Sequence, residues 1–281
     1  MDRIPCTQRF FPLKLAEWLP IRYAAYLRWL SHLLERLGPA PARALWEEAC
    51  RDNDDPLLSR ILSEGWTPML EGEAVDGEES IDRACAPFFR SRVEGMTRAE
   101  ARGLVERMPP LPQIRRRFPS LNVQKRVTAY EALHLAFDGQ ARLVEALVGH
   151  HGVEGQLIAY DALREARIAA AGGKTGTVEE FVAGFVSPPV EGSIFAAGLE
   201  KRTVRAAGRE AVVHVVECEW ARYFRERHPS VGYLMACSTD EVAYRAFNGD
   251  LRMQRTSTLM EGGARCDFRI YAVGEPGHGP T

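Results

Sequence analysis

Ala211-Val-Val-His-Val-Val216 is a short β-branched run with Gly208 just before it, and such a run reads as a buried strand. The segments after it alternate between two periodicities. Glu219–Glu226 has a helical pattern that Pro229 stops. Gly232–Cys237 fits either a strand or the start of the next helix, because periodicity does not separate the two over so few residues. Asp240–Phe247 reads as a helix and Asn248-Gly249-Asp250 as a tight turn. Leu251–Met260 and Cys266–Val273 read as paired strands joined by Glu261-Gly262-Gly263-Ala264. The expected class is α+β, with helices first and a small, mainly antiparallel sheet last.

Toward the N-terminus the pattern is helical. Residues 12–66 are expected to be helices, since apolar residues recur every three or four positions from Leu13 to Leu37. Gly38-Pro39 ends the first helix, Ala42–Cys50 forms a second, and Asp55-Pro56 opens a third. The acidic stretch 71–80 reads as an exposed loop, and Thr97-Arg-Ala-Glu100 as a capping box for a helix to about Met108. The proline- and arginine-rich stretch 109–122 is a linker. Residues 123–171 are expected to be helical, with a break near Gly149-His150-His151-Gly152. A flexible turn at 172–176 and a short helix at 178–186 follow, and the tail after Val273 reads as disordered. Two regions result: a helical one over 1–110 and an α+β one over 123–272.

Composition narrows the function classes. The chain has 281 residues and a formal net charge of -2, which gives no reason to expect a nucleic-acid partner. Only four of the 36 basic side chains are lysines, a bias ascribed to codon composition. No apolar run of about 18 residues suggests a membrane span, and the N-terminus lacks the layout of a secretory signal. The six cysteines are too scattered for a disulfide framework, so a cytoplasmic chain with reduced thiols is expected.

The chemically loaded residues gather between 214 and 271: Cys218, Glu219, His228, Cys237, Asp240, Asn248, Arg255, Thr256, Cys266 and Asp267. The ordered series Glu217-Cys218, Cys237-x-x-Asp240, Phe247-Asn248 and Arg255-Thr256-x-Thr258-Leu259-x-x-Gly262-x-x-x-Cys266-Asp267-Phe268 resembles the signature of the L-2-amino-thiazoline-4-carboxylic acid hydrolases. The resemblance covers roughly residues 125–272. It implies hydrolysis of a non-peptide C–N bond in a small cyclic amidine. Such chemistry needs a nucleophile at an sp² carbon, a carboxylate to move protons and a cation for the substrate carboxylate. Cys237 is the expected nucleophile, with Asp240 as its acid/base partner on the same face if that segment is one helix. Cys266 is a further catalytic candidate. Arg255 is expected to clamp the substrate carboxylate, with Asn248, Thr256 and Asp267 as further substrate-binding residues. Cys266 and Asp267 point to opposite faces of their strand. Cys218, at the end of an apolar strand, reads as structural.

Blander alternatives stand beside each assignment. A free cysteine usually packs as a small hydrophobe, Asp240 and Arg255 fit ordinary ion pairs, and Asp267 fits a turn. Gly262-x-x-x-Cys266-x-Phe268 also resembles the 4-vinyl-reductase-like domain, which implies a non-catalytic binding module with a structural zinc. A third reading is a family member acting on another small molecule. The spacings common in zinc sites are absent, so no metal ligands and no cofactor are assigned. Gly173-Lys174-Thr175 lacks the upstream glycine of a phosphate loop, and His150-His151 reads as a surface turn. The expected partner is a small-molecule substrate, with the N-terminal helices available for a homo-oligomer interface.

Overall fold

A computed structural model describes residues 10–14, 25–26, 28–29, 31–51, 124–171, 176–186 and 198–273. The helix opening at Asp55-Pro56, the acidic loop, the capping box at Thr97, the linker, residues 172–175 and the tail from 274 lie outside them. The fold is α+β, as expected, with helices followed by a four-stranded antiparallel sheet. Among the described residues no helix is long and apolar enough to cross a membrane.

The chain divides into two compact units. One comprises Pro12–Val127 and Glu131–Ala162, the other Met1–Phe11, Thr128–Tyr130 and Leu163–Thr281. Helical residues 31–37 lead into Gly38, whose φ of 81° lets its N–H return to Leu34 O at 3.1 Å. Helix α1 (Pro39–Arg51) starts immediately, with proline in its first turn. Helix α2 (Ala129–Ala171) bends at Gly152, where φ is 53° and ψ is -125°. This is the break expected near residues 149–152. Tyr26, Trp29, Leu33, Leu45, Trp46, Leu143 and Leu147 are buried, each such side chain contributing about 1.5–3 kcal/mol of transfer free energy. Trp29 Nε1 donates to Gln140 Oε1 at 2.9 Å inside this core.

Two short strands depart from the helical expectation. β1 (Phe10–Lys14) and β2 (Gln124–Thr128) form a two-stranded sheet, where helix had been read from residue 12 and from residue 123. Five-residue strands carry little periodic signal of their own; their ladder partner lies more than 100 positions away in sequence, and local pattern does not register it.

The second unit holds the sheet, in the order β3-β4-β6-β5, formed by β3 (Leu199–Ala207), β4 (Glu210–Cys218), β5 (Leu251–Gln254) and β6 (Cys266–Ala272). β4 begins where the valine-rich run places it. β3 was not anticipated. Its sequence, Leu-Glu-Lys-Arg-Thr-Val-Arg-Ala-Ala, is basic and irregular, with register shifts at Glu200/Lys201 and Thr203/Arg205. Those features suit an edge strand, since charges and bulges discourage pairing with another chain. β5 ends at Gln254, six residues short of the expected strand, because the chain leaves the sheet at Arg255.

Ala211, Val213, Val215, Leu251, Cys266, Phe268 and Ile270 point to one face. Helix α3 (Val178–Val186) covers it with Val178 and Val182, and Phe181 lies 4.6 Å from the Tyr244 ring and 5.0 Å from Phe247. A capping box starts α3. Glu180 N–H donates to Thr177 Oγ1 at 3.1 Å, while Glu180 Oε2 accepts from Thr177 N–H at 2.8 Å. After β4 come α4 (Glu219–Arg227), α5 (Gly232–Ala236) and α6 (Asp240–Phe247). Gly232 lets α5 approach α4 closely: a Cβ there would meet Phe224 Cβ at 2.9 Å. The segment read as either strand or helix is thus a single helical turn.

Candidate active site

Three elements bring the proposed machinery together. Cys237 closes α5, its N–H donating to Tyr233 O at 2.9 Å. Asp240 opens α6. The two residues therefore do not share a helix face as the spacing suggested. A turn through Ser238 and Thr239 separates their helices, and Asp240 N–H donates to Cys237 O at 3.3 Å. Arg255 enters from the end of β5. Its Nη1 donates to Asp240 Oδ2 at 2.6 Å and its Nη2 to Cys237 O at 3.3 Å and Tyr233 Oη at 3.4 Å. The guanidinium carbon lies 5.2 Å from the Phe268 ring centroid and 5.7 Å from that of Tyr233, within cation–π range.

The Arg255 side chain is 6% exposed and that of Asp240 21%, so this ion pair is largely withdrawn from water. Burial pushes the Asp240 carboxyl above its ordinary range, while Arg167 and then Arg255 act against that rise. Burial also works against the charge on Arg255, but Asp240 beside it holds its pKa above the usual value. The Cys237 thiol is pushed up by burial and further by Asp240, with Arg255 opposing. It is a protonated thiol at neutral pH. For Arg255 to clamp a substrate carboxylate, it would have to leave these partners.

Two further thiols lie within electrostatic reach of Cys237, those of Cys218 and Cys266. All three are free, with Cys266 buried and the others partly exposed. Cys266 Sγ accepts the Leu259 N–H at 3.3 Å. Cys218, read as structural, caps α4 by accepting the Ala221 N–H at 3.3 Å, and burial pushes its thiol up to about 12. Lys201 belongs to the same neighbourhood. Its Nζ donates to Phe185 O at 2.5 Å and sits 4.4 Å from the Phe185 ring centroid. Burial lowers its pKa to about 8, with Cys218 acting in the opposite sense. No spacing rule pointed to Lys201. Cys218 was already named, since the Glu217-Cys218 step belongs to the signature series.

The remaining candidates are engaged in holding loops. Asn248 Nδ2 donates to Gly176 O at 2.8 Å and its Oδ1 accepts from Asp250 N–H at 2.9 Å. Asp267 Oδ1 accepts from Thr256 N–H at 2.9 Å and from Ser257 N–H at 2.7 Å, and the Thr256 hydroxyl donates to Oδ2. As expected, Asp267 and Cys266 face opposite ways, Cys266 into the core and Asp267 toward the loop. The glycine pair is used fully: Gly262 has a φ of +88°, and a Cβ on Gly263 would meet Thr258 O at 2.8 Å. Among the described residues no group of three or more His, Cys, Asp or Glu side chains is placed to hold a metal ion.

Residues 130–270 match the family described as L-2-amino-thiazoline-4-carboxylic acid hydrolase. The chain belongs to that family. The match contains every element of the sheet-bearing unit from α3 to β5, and nearly all of β6. It also takes in Cys237, Asp240 and Arg255, together with the loop that follows the arginine. No curated protein and no solved structure matches. The family's name denotes a hydrolase, and the reaction class of the chain is read from it.

Proposed function

We propose that this chain hydrolyses a non-peptide C–N bond of a small cyclic amidine of the amino-thiazoline-carboxylate kind, with Cys237 and Asp240 as its reacting groups. The carrying observation is that Arg255 binds both the Asp240 carboxylate and the Cys237 carbonyl, with Asp240 and Arg255 acting electrostatically on the Cys237 thiol, within the stretch that matches the hydrolase family. Because the Cys237 thiol is held above its ordinary pKa, attack must be coupled to proton loss. Cys237 Sγ bonds to the amidine carbon while its proton passes to the Asp240 carboxylate. Asp240 then returns a proton to the ring nitrogen as the C–N bond breaks. Water displaces the sulfur, and the thiol is restored. Asp240 suits this exchange, since a carboxyl with a raised pKa is a stronger base than an ordinary one. Arg255 opposes the rise that burial imposes on that carboxyl and aims it.

The raised thiol favours one competing route, in which Asp240 activates water directly and Cys237 keeps its proton. Purified protein incubated with 2-amino-thiazoline-4-carboxylate tests the function, and Cys237→Ser and Cys237→Ala variants test the route. The nucleophile assignment expects kcat to fall about 100-fold or more in Cys237→Ala, with an enzyme–substrate adduct seen by intact mass in the wild type only. Undiminished turnover in a folded Cys237→Ala would transfer the attack to water. Absence of turnover by wild-type protein on this and related cyclic amidines would remove the function itself.

A further inference from the structure

Two guanidinium groups act on Asp240, and they are held in different ways. Arg255 is nearly buried and makes three hydrogen bonds to protein acceptors. Arg167, near the C-terminal end of α2, is partly exposed. Its Nε donates to Thr239 Oγ1 at 3.3 Å. Among the described residues its two terminal nitrogens meet no acceptor, although its charge acts on both Asp240 and Tyr244. Thr239 is the residue before α6 and makes no side-chain cap hydrogen bond to that helix. Its buried hydroxyl instead holds the guanidinium one residue from Asp240.

Charge balance indicates what Arg167 lacks. With the thiols protonated, two positive charges surround one carboxylate, Arg255 is already paired with it, and the partly exposed Arg167 is the cation left to receive a second anion. The family's namesake compound carries such an anion: its amino-bearing and carboxylate-bearing carbons flank a single ring nitrogen. A group that binds the carboxylate must therefore sit within a few ångströms of the group that manages protons at the amidine carbon. Arg167 is bound to Thr239, the residue next to Asp240, and its charge reaches Asp240.

We propose that Arg167, rather than Arg255, binds the substrate carboxylate, its terminal nitrogens forming the paired hydrogen bonds that a guanidinium makes to a carboxylate. This assignment rests on reading the Cys237–Asp240 cluster as the hydrolytic site. It restricts the substrate class to small cyclic amidines bearing a carboxylate, and neutral analogues bind weakly.

The test is calorimetric binding of 2-amino-thiazoline-4-carboxylate and of its carboxamide to the full chain, as wild type, Arg167→Met and Arg167→Lys. Charge-assisted hydrogen bonds of this kind change affinity by about 10- to 100-fold. Arg167→Met should therefore weaken the carboxylate by that factor and leave the carboxamide unchanged, with Arg167→Lys restoring part of the loss. In turnover, KM should rise far more than kcat falls. Equal weakening of both ligands would reveal a merely structural arginine and overturn the proposal. So would unchanged binding, or a wild type that binds the carboxylate no better than the carboxamide. Arg167-dependent binding without turnover sinks the hydrolase reading and keeps the carboxylate site. Turnover indifferent to Arg167 does the reverse.

Discussion

Two aspartates bracket the Arg255–Thr256 step, and their surroundings are opposite. Asp267 faces the loop and is well supplied with donors, taking two backbone N–H groups and a hydroxyl. Burial raises its pKa somewhat, but the hydrogen bonds from Thr256 and Ser257 lower it more, and the net direction is down. Asp240 lies in a drier setting, where burial outweighs two guanidinium groups and the net direction is up. A carboxylate held by three donors from one loop is a structural brace. One whose charge is disfavoured, and which stands beside a thiol and a partly open arginine, is equipped to exchange protons.

The most forceful way to break this contrast is to remove the charge from each aspartate in turn. Asp240→Asn keeps a hydrogen-bond acceptor for Arg255 but removes the base. We expect kcat/KM to fall by about 10²–10⁴-fold, the range for losing a general acid–base group, with the circular-dichroism spectrum retained. Asp267→Asn should keep most of the catalytic rate. If instead Asp267→Asn is the inactive variant and Asp240→Asn the active one, the roles assigned to the two regions are exchanged.

A second expectation sharpens the Asp267 side. The brace works only if the loop closes on itself, and Gly263 is where it closes: its N–H donates to Thr258 O at 2.8 Å. Gly263→Ala places a methyl against that same carbonyl and against Ser257. Overpacking of this kind costs about 1–3 kcal/mol. Urea denaturation should show that loss, and the displaced loop should also reduce activity by disturbing Arg255. Wild-type stability in Gly263→Ala would mean that the loop yields easily and does not fix the arginine.

The unequal legibility of the two regions follows from the same physics. Val178–Val186 and Asp240–Phe247 were readable as helices because one apolar face repeats along each. β4 was readable because it is a central strand built of valine. β3 and the pair β1–β2 were not, since an edge strand or a five-residue strand owes its existence to partners distant in sequence. In the site, the signature residues identified the right stretch but not the division of labour within it. Cys237 and Asp240 look like one helical turn in sequence, and only the turn at Ser238-Thr239 reveals two helices. Arg167 carries no motif and is one of many arginines. It is placed near Asp240 by its bond to Thr239, 72 positions away in sequence.

The smallest expected effect concerns pH and discriminates the two aspartates by sign. Asp240, with its pKa raised on folding, contributes stability that is complete below the ordinary aspartate value of 3.8 and is lost as pH rises through its folded value. Asp267, with its pKa lowered, contributes stability that is present above 3.8 and is lost as pH falls through its folded value. Wild type should therefore gain on Asp240→Asn as the pH is taken down from 7 toward 4. It should lose ground to Asp267→Asn as the pH falls below about 4. At neutral pH the Asp267→Asn deficit should be about 1 kcal/mol, because the group is partly solvated and the amide keeps one acceptor oxygen. Urea midpoints for the three proteins across pH 3–7 give both slopes in one experiment. Slopes of the same sign would mean that Asp240 is stabilised as an anion like Asp267. The proton exchange with Cys237 would then lose its physical basis, whatever the activity of the variants.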